Sequence, residues 1–261
     1  MSSLIRKTVR DNRRALIGWM VGLAAVMSMY LSFYGRYRDL QEAKAASIPE
    51  GLRKVIGFED IISGVGYLQA TVFGLIGPLL LIMSAAIFGT RGVAGPEEAG
   101  VLDLYLANPI SRRRFVLGRF LALAGSVVAV AAVPWIVSLI FASALDMQVS
   151  AANISAASLG LLLLALCFGM VAFTTGAVTG RRGTVLAVTG GLAVGTYVLK
   201  ALSAEVAGLG WVRWLSPFHY FSGSNPLRHG FDVPYLLVLA GVSAVLLAVA
   251  VVVFDRRDVG V

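Results

Sequence analysis

Six long apolar runs constrain this chain more than any motif does. They cover roughly residues 15–34, 66–89, 120–145, 154–179, 183–197 with a few flanking residues, and 233–254. The hydrocarbon core of a bilayer is about 30 Å thick, so a helix needs roughly 20 apolar residues to cross it. Each run meets or approaches that length, and the sequence predicts an all-α, polytopic membrane protein with six spans in a single transmembrane domain, residues 1–261. Composition agrees: 58% of residues are hydrophobic and 14% charged, and the mean hydropathy is +0.83, outside the range of soluble domains. The first run is too long for the apolar core of a signal peptide, lacks a small-residue cleavage site and is followed by five more, so it reads as a retained helix. The fifth is diluted by Gly190, Gly191 and Gly195 and closed by Lys200, whose ammonium can snorkel to the interface.

Loop charges give the orientation. Segments on the cytoplasmic side carry the excess of Lys and Arg. With the N-terminus inside, the inner segments are 1–14, 90–119, 180–182 and 255–261; they hold fourteen basic and six acidic residues, leaving eight of each outside. The whole net charge of +8 then lies on one face. Both termini are expected in the cytoplasm, and the basic balance answers to topology and anionic lipid headgroups, with no need for nucleic acid.

Most catalytic and cofactor chemistry finds no foothold. His219 and His229 are ten residues apart in an outer loop and do not read as a metal-ligand pair. The Gly-Lys pair of a phosphate-cradling Walker loop occurs nowhere, so the chain has no ATP site of that kind. Cys167 is alone inside the fourth run and reads as a packed thiol. The interiors of the six runs hold no Asp, Glu, Lys or Arg, which argues against proton- or ion-driven transport, because such carriers place ionisable groups at membrane depth. Gly176 with Gly180, and Gly191 with Gly195, form small-residue faces that suit either packing within the chain or a subunit interface. Pro78 and Pro134 are candidate kinks. Trp19, Tyr30, Tyr34 and Phe73 would suit an amphipathic cargo or an interfacial aromatic belt.

Against this apolar background stands "GPEEAGVLDLYLANPISRRR", residues 95–114. Pro96 suits a first helical position, Glu97 and Glu98 fall where the helix dipole favours negative charge, and Asn108-Pro109 stops the pattern. A helix over Pro96–Ala107 would be about 18 Å long, too short to span. Ser111 can cap a second helix running through "RRRFVLGRF" into the third run. Arg112, Arg113 and Arg114 then lie at a helix N-terminus, where the dipole opposes each by about 0.3 to 1 kcal/mol. Headgroups or an acidic partner surface would have to offset that.

This segment resembles the cytoplasmic coupling loop of bacterial ABC-2-type transporter permeases, which looks like "E-x-x-G-x-L-[DE]-L-x-L-[AS]-x-P-[IV]-S-R"; here "EEAGVLDLYLANPISRR" follows it, with Val101 where the family often has threonine. "WLSPFHYF" at 214–221, within an extracytoplasmic re-entrant or interfacial segment (203–232), is similar to a Ser-Pro-Phe stretch of such permeases. "LIRKTVRDNRRALIGW" resembles their interfacial elbow helix (1–14), and "SIPEGLRKVIG" adds a local likeness after the first run. The resemblance implies a type V exporter-like permease of the bacterial plasma (inner) membrane, moving a hydrophobic or amphipathic substrate such as a drug or lipid. It implies two permease chains, a second copy or a related one, in contact with membrane lipids, and two separate ATPase subunits that hold ATP and Mg, this chain binding no cofactor or metal. The coupling loop would be 90–119, with Glu97, Glu98, Val101, Leu102, Asp103, Leu104, Leu106, Asn108, Pro109, Ser111 and Arg112 as its ATPase contacts. Two other classes remain: a membrane-embedded assembly protein anchoring a cytosolic partner, and an ion-driven secondary carrier, which the uncharged runs disfavour.

Overall fold

The computed structural model describes residues 2–46, 63–100, 111–206 and 210–257. "SIPEGLRKVIG" lies outside them. The described residues are helical and contain no strand. Among the described residues six helices are long and apolar enough to cross a membrane: Arg13–Gln41, Gly64–Thr90, Arg112–Ala144, Ala151–Thr179, Arg182–Ser203 and Val233–Arg256, here spans one to six. Each apolar run of the sequence therefore lies in a span. The N-terminal segment expected as a separate elbow opens an unbroken helix, Ser2–Ser32, which a turn at Phe33 separates from Tyr34–Ala46.

Span four is the hub, touching spans two, three, five and six. Without a hydrophobic drive between helices in lipid, close packing supplies the association, and small residues permit it. Gly89 of span two shows how close: a Cβ built there would lie 2.6 Å from the Gly169 carbonyl oxygen and 2.8 Å from the Ala172 Cβ of span four. Around that contact Leu161, Leu164, Phe168 and Phe173 of span four are fully buried. Of the glycine pairs, Gly176 packs within the chain, against Ala94 and Val185, whereas Gly191 and Gly195 face open space.

Span two changes its winding. Residues Gly64–Leu68 are α-helical, Gln69–Ile76 form a π-helix and Gly77–Thr90 return to α. The Gly77 N–H bonds to the Val72 carbonyl, five residues back. Pro78, which has no N–H to give, sits immediately after this wider turn. Pro134 lies inside the unbroken helix Arg112–Ala144. At the head of span two, Tyr67 stacks between Tyr34 and Tyr37 at 5.2 and 5.0 Å and donates its hydroxyl to the Tyr30 carbonyl, which fastens span one to span two. Tyr34 and Phe73 are therefore core residues, 4% and 1% exposed, and present no ring to a cargo.

Spans three and five extend past their apolar runs to take in a basic residue. Span three starts at Arg112, so Arg119 falls inside it, 8% exposed, with its guanidinium 5.2 Å from the Phe115 ring centroid. Arg119 lies just ahead of the apolar run 120–145, whose interior holds no ionisable residue, as expected. The stem of an arginine packs as apolar surface, which is how the helix accommodates it. Span five likewise runs past Lys200, whose Nζ donates to Ser222 Oγ at 2.5 Å.

The segment between spans five and six folds back on the bundle through three short helices, the 3₁₀ turn Gly210–Leu215, Pro217–Ser222 and Pro226–His229. Ser216 Oγ donates to the Thr196 carbonyl at 2.7 Å, and the Phe218 ring meets Phe168 at 5.6 Å. Phe168 lies about 25 Å along span four from its start at Ala151, so the segment reaches well down the helix. Asn153 Nδ2 holds the return turn by bonds to the Leu227 and Arg228 carbonyls at 3.0 and 3.1 Å.

Candidate functional site: a charged junction at the basic end

After span two, a turn at 91–93 leads into the short helix Ala94–Glu98. Helix Ala94–Glu98 ends in a turn: the Ala99 and Gly100 N–H groups close on Gly95 and Glu97, and Gly100 adopts φ +65°, the left-handed conformation that ends helices, so the helix expected from Pro96 is interrupted at the last described residue of the segment. Val101, Leu102, Asp103, Leu104, Leu106, Asn108 and Pro109 lie outside the described residues. Glu97, Glu98, Ser111 and Arg112 are described, and each makes a defined contact.

Glu97 forms a two-pronged ion pair with Arg257, with Nη2–Oε1 at 2.6 Å and Nη1–Oε2 at 3.0 Å. The side chains are 21% and 24% exposed, so this pair is shielded more than a surface bridge, and its fork geometry is the stronger kind. Arg257 Nη1 also donates to the Ala177 carbonyl at 3.2 Å. That carbonyl belongs to the last turn of span four, where carbonyls lack helical partners. Span four ends at Gly180 with φ +65°, and a Cβ there would collide with the Glu97 carboxylate. Backbone and packing both demand glycine at this position.

Glu98 caps a neighbouring helix. Its Oε1 accepts from the Arg182 backbone N–H at 2.7 Å, and its Oε2 lies 3.3 Å from Arg182 Nε. Arg181, at the N-cap of span five, supplies no side-chain bond, so the carboxylate from across the junction fills that role at the positive end of the helix dipole. Arg182 Nη2 completes the link with a bond to the Gly95 carbonyl at 3.0 Å.

Ser111 caps span three as its sequence predicts, its Oγ accepting from the Arg114 N–H at 3.4 Å. The arginines that follow solve the dipole problem by reaching elsewhere. Arg112 Nη1 donates to the Arg257 carbonyl at 2.6 Å, and Arg113 Nε donates to Asp255 Oδ2 at 3.0 Å, both at the C-terminal end of span six. A helix C-terminus attracts cations. One junction thus joins the segment after span two to the ends of spans three, four, five and six.

Arg182, Arg257 and Asp255 enter this junction without a sequence motif to announce them, and Gly180 was visible only as half of a small-residue pair with Gly176. The excess of basic residues at one end speaks of topology and not of pairing.

A second feature lies beside it. Between spans two and five runs a partly open apolar groove of about 500 Å³, lined by Leu75, Pro78, Ile82, Leu186, Val194 and Tyr197 among others. Its walls Ile87 and Leu186 continue into a smaller cavity of about 200 Å³ that Arg91 and Arg182 line at the basic end.

At the opposite end, His219 of "WLSPFHYF" packs among Trp214, Tyr220 and Tyr235, with ring centroids 4.8, 5.6 and 5.5 Å away. Burial, reinforced by the nearby positive charges of Arg213 and Lys200, pushes its pKa below the usual histidine value. His229 Nδ1 lies 2.8 Å from the Ser224 carbonyl oxygen.

Six membrane-length helices, with loops and helix ends gathered into one charged junction and an apolar groove between two spans, define a multi-pass membrane protein built around a helical bundle. The sequence matches the family described as ABC-2 family transporter protein over residues 2–259, nearly its whole length, and the chain belongs to that family. It is a permease component of an ABC transporter, the transmembrane part that associates with ABC ATPase subunits and has no ATP-binding site of its own. No curated protein matches the sequence.

Proposed function

We propose that this chain is the permease of an exporter that moves a hydrophobic or amphipathic molecule, a drug or lipid, across the bacterial plasma membrane. The observation that carries the reading is the charged segment 95–114, which follows the family's coupling-loop pattern and begins at the junction of spans two to six. The basic end faces the cytoplasm by the positive-inside rule. Residues Glu97 to Ser111 form the surface that engages the ATPase subunit, with Leu102, Asp103, Leu104 and Leu106 as contacts and Glu97 and Glu98 holding the root of the segment through Arg257 and Arg182. ATP and Mg bind the ATPase subunits, two per complex, and two permease chains complete the path. Nucleotide binding biases the permease between two states only through contacts that differ between them. The apolar groove between spans two and five favours a greasy cargo over an ion.

The test is to co-express the chain with an ABC ATPase subunit and reconstitute the complex in vesicles. Association, with ATP turnover that depends on this chain, is expected. A chain that binds no ATPase and alters no ATP turnover would refute the reading in favour of an assembly protein.

A further inference from the structure

The segment 91–111 is covalently continuous with spans two and three, which suffices to explain motion of those two helices. The junction contains more than that connection requires. Arg257 grips Glu97 at the root of the segment, donates to Ala177 at the end of span four, and accepts from Arg112 of span three through its own carbonyl. Through this residue the segment touches spans that are distant from it in sequence, 160 residues in the case of Glu97 and Arg257.

We infer that Arg257 is a positioning residue that passes movement of the coupling segment directly into spans four and six. The inference rests on the proposed function, because it needs an ATPase to move the segment. Three features support it over a purely stabilising pair. The guanidinium is bidentate, so it transmits orientation as well as distance. The pair is largely shielded from water, and breaking one partner leaves a charge that the site is not built to hold alone. Gly180 leaves no side chain between the Glu97 carboxylate and the end of span four, so a displaced Glu97 pushes on backbone. The Glu98–Arg182 contact carries span five in parallel, through a more exposed pair.

The experiment places a spin label at one of two exposed positions, Leu117 of span three or Val252 of span six, in a Cys167→Ala background. The chain is assembled with its ATPase subunit in nanodiscs, and spectra are compared with and without ATP and Mg. In the unaltered chain both labels respond. In Arg257→Gln the Leu117 response persists while the Val252 response falls at least twofold. The exchange Glu97→Arg with Arg257→Glu restores it, and Arg257→Lys, which keeps charge but loses the fork, gives an intermediate response. A thermal midpoint for each variant separates loss of transmission from loss of fold. A full Val252 response in a folded Arg257→Gln complex overturns the inference, as does equal loss at both labels that the exchange does not repair. Silence of both labels in the unaltered complex instead overturns the proposed function beneath it.

Discussion

Replacing Gly89 by alanine tests the packing on which the bundle depends. A methyl at this position would meet the Gly169 carbonyl oxygen at 2.6 Å, the Ala172 Cβ at 2.8 Å and the Phe173 nitrogen at 3.2 Å. Two of these are backbone atoms of span four and the third is a Cβ, so no side-chain rotation relieves them. The helices must separate. Overpacking of this kind costs about 1 to 3 kcal/mol, while exchanging glycine for alanine in a helix returns about 1 kcal/mol. The net expectation is a loss of up to about 2 kcal/mol, and more for Gly89→Val. Gly125 of span three supplies the control, since a Cβ there meets nothing within 4 Å, and Gly125→Ala should be neutral or stabilising by up to about 1 kcal/mol. The assay is the thermal midpoint of each purified variant in the same detergent, read by loss of the monodisperse peak after heating. Because heating membrane proteins is often irreversible, the ranking of variants is the quantity to compare. If Gly89→Ala melts no lower than Gly125→Ala, the close approach of spans two and four is wrong.

Gly180→Ala should destabilise by about 1 to 2 kcal/mol from left-handed backbone alone, and additionally displace Glu97, read as a lowered melting midpoint that Glu97→Ala partly rescues. Arg113→Ala should change stability by less than about 1 kcal/mol, because its pair with Asp255 is exposed, the arginine side chain by 70%. Glu97→Gln, in the more shielded pair, should cost more than Arg113→Ala in the same melting assay. His219 is neutral-favouring in the folded chain, so the unfolded chain binds more protons as pH falls through the ordinary value of 6.5, and stability should drop below that pH. His219→Phe should flatten the dependence of the melting midpoint between about pH 5 and 7; an unchanged slope would remove this histidine as its source.

The spans were legible because length and hydropathy are properties of a run, and each run became a helix. Their ends were less so. The helix through Arg112 to Arg119 was legible from its Ser111 cap, but what offsets the arginines at its N-terminus was not, because the carbonyls and carboxylate at the end of span six come from more than a hundred residues away. The π-helix of span two left no trace in the sequence, since a bond from Gly77 to Val72 changes winding without changing which residues are apolar. Pro78 marked the place but not the form. The charged segment was legible as a motif, yet the motif pointed outward to a partner, whereas the structure engages Glu97 and Glu98 with arginines of the same chain. Such pairing depends on which helix ends meet, and local patterning does not encode it.

The central claim is that residues 95–114 couple this bundle to an ATPase. Its most direct test is ATP turnover and co-purification of the ATPase subunit with the unaltered chain and with Leu104→Arg, a substitution in the coupling motif. The account predicts a stable complex with chain-dependent hydrolysis for the former, and loss of the ATPase subunit or of that dependence for a folded, membrane-inserted Leu104→Arg. An equally tight, equally active complex with the variant would contradict it.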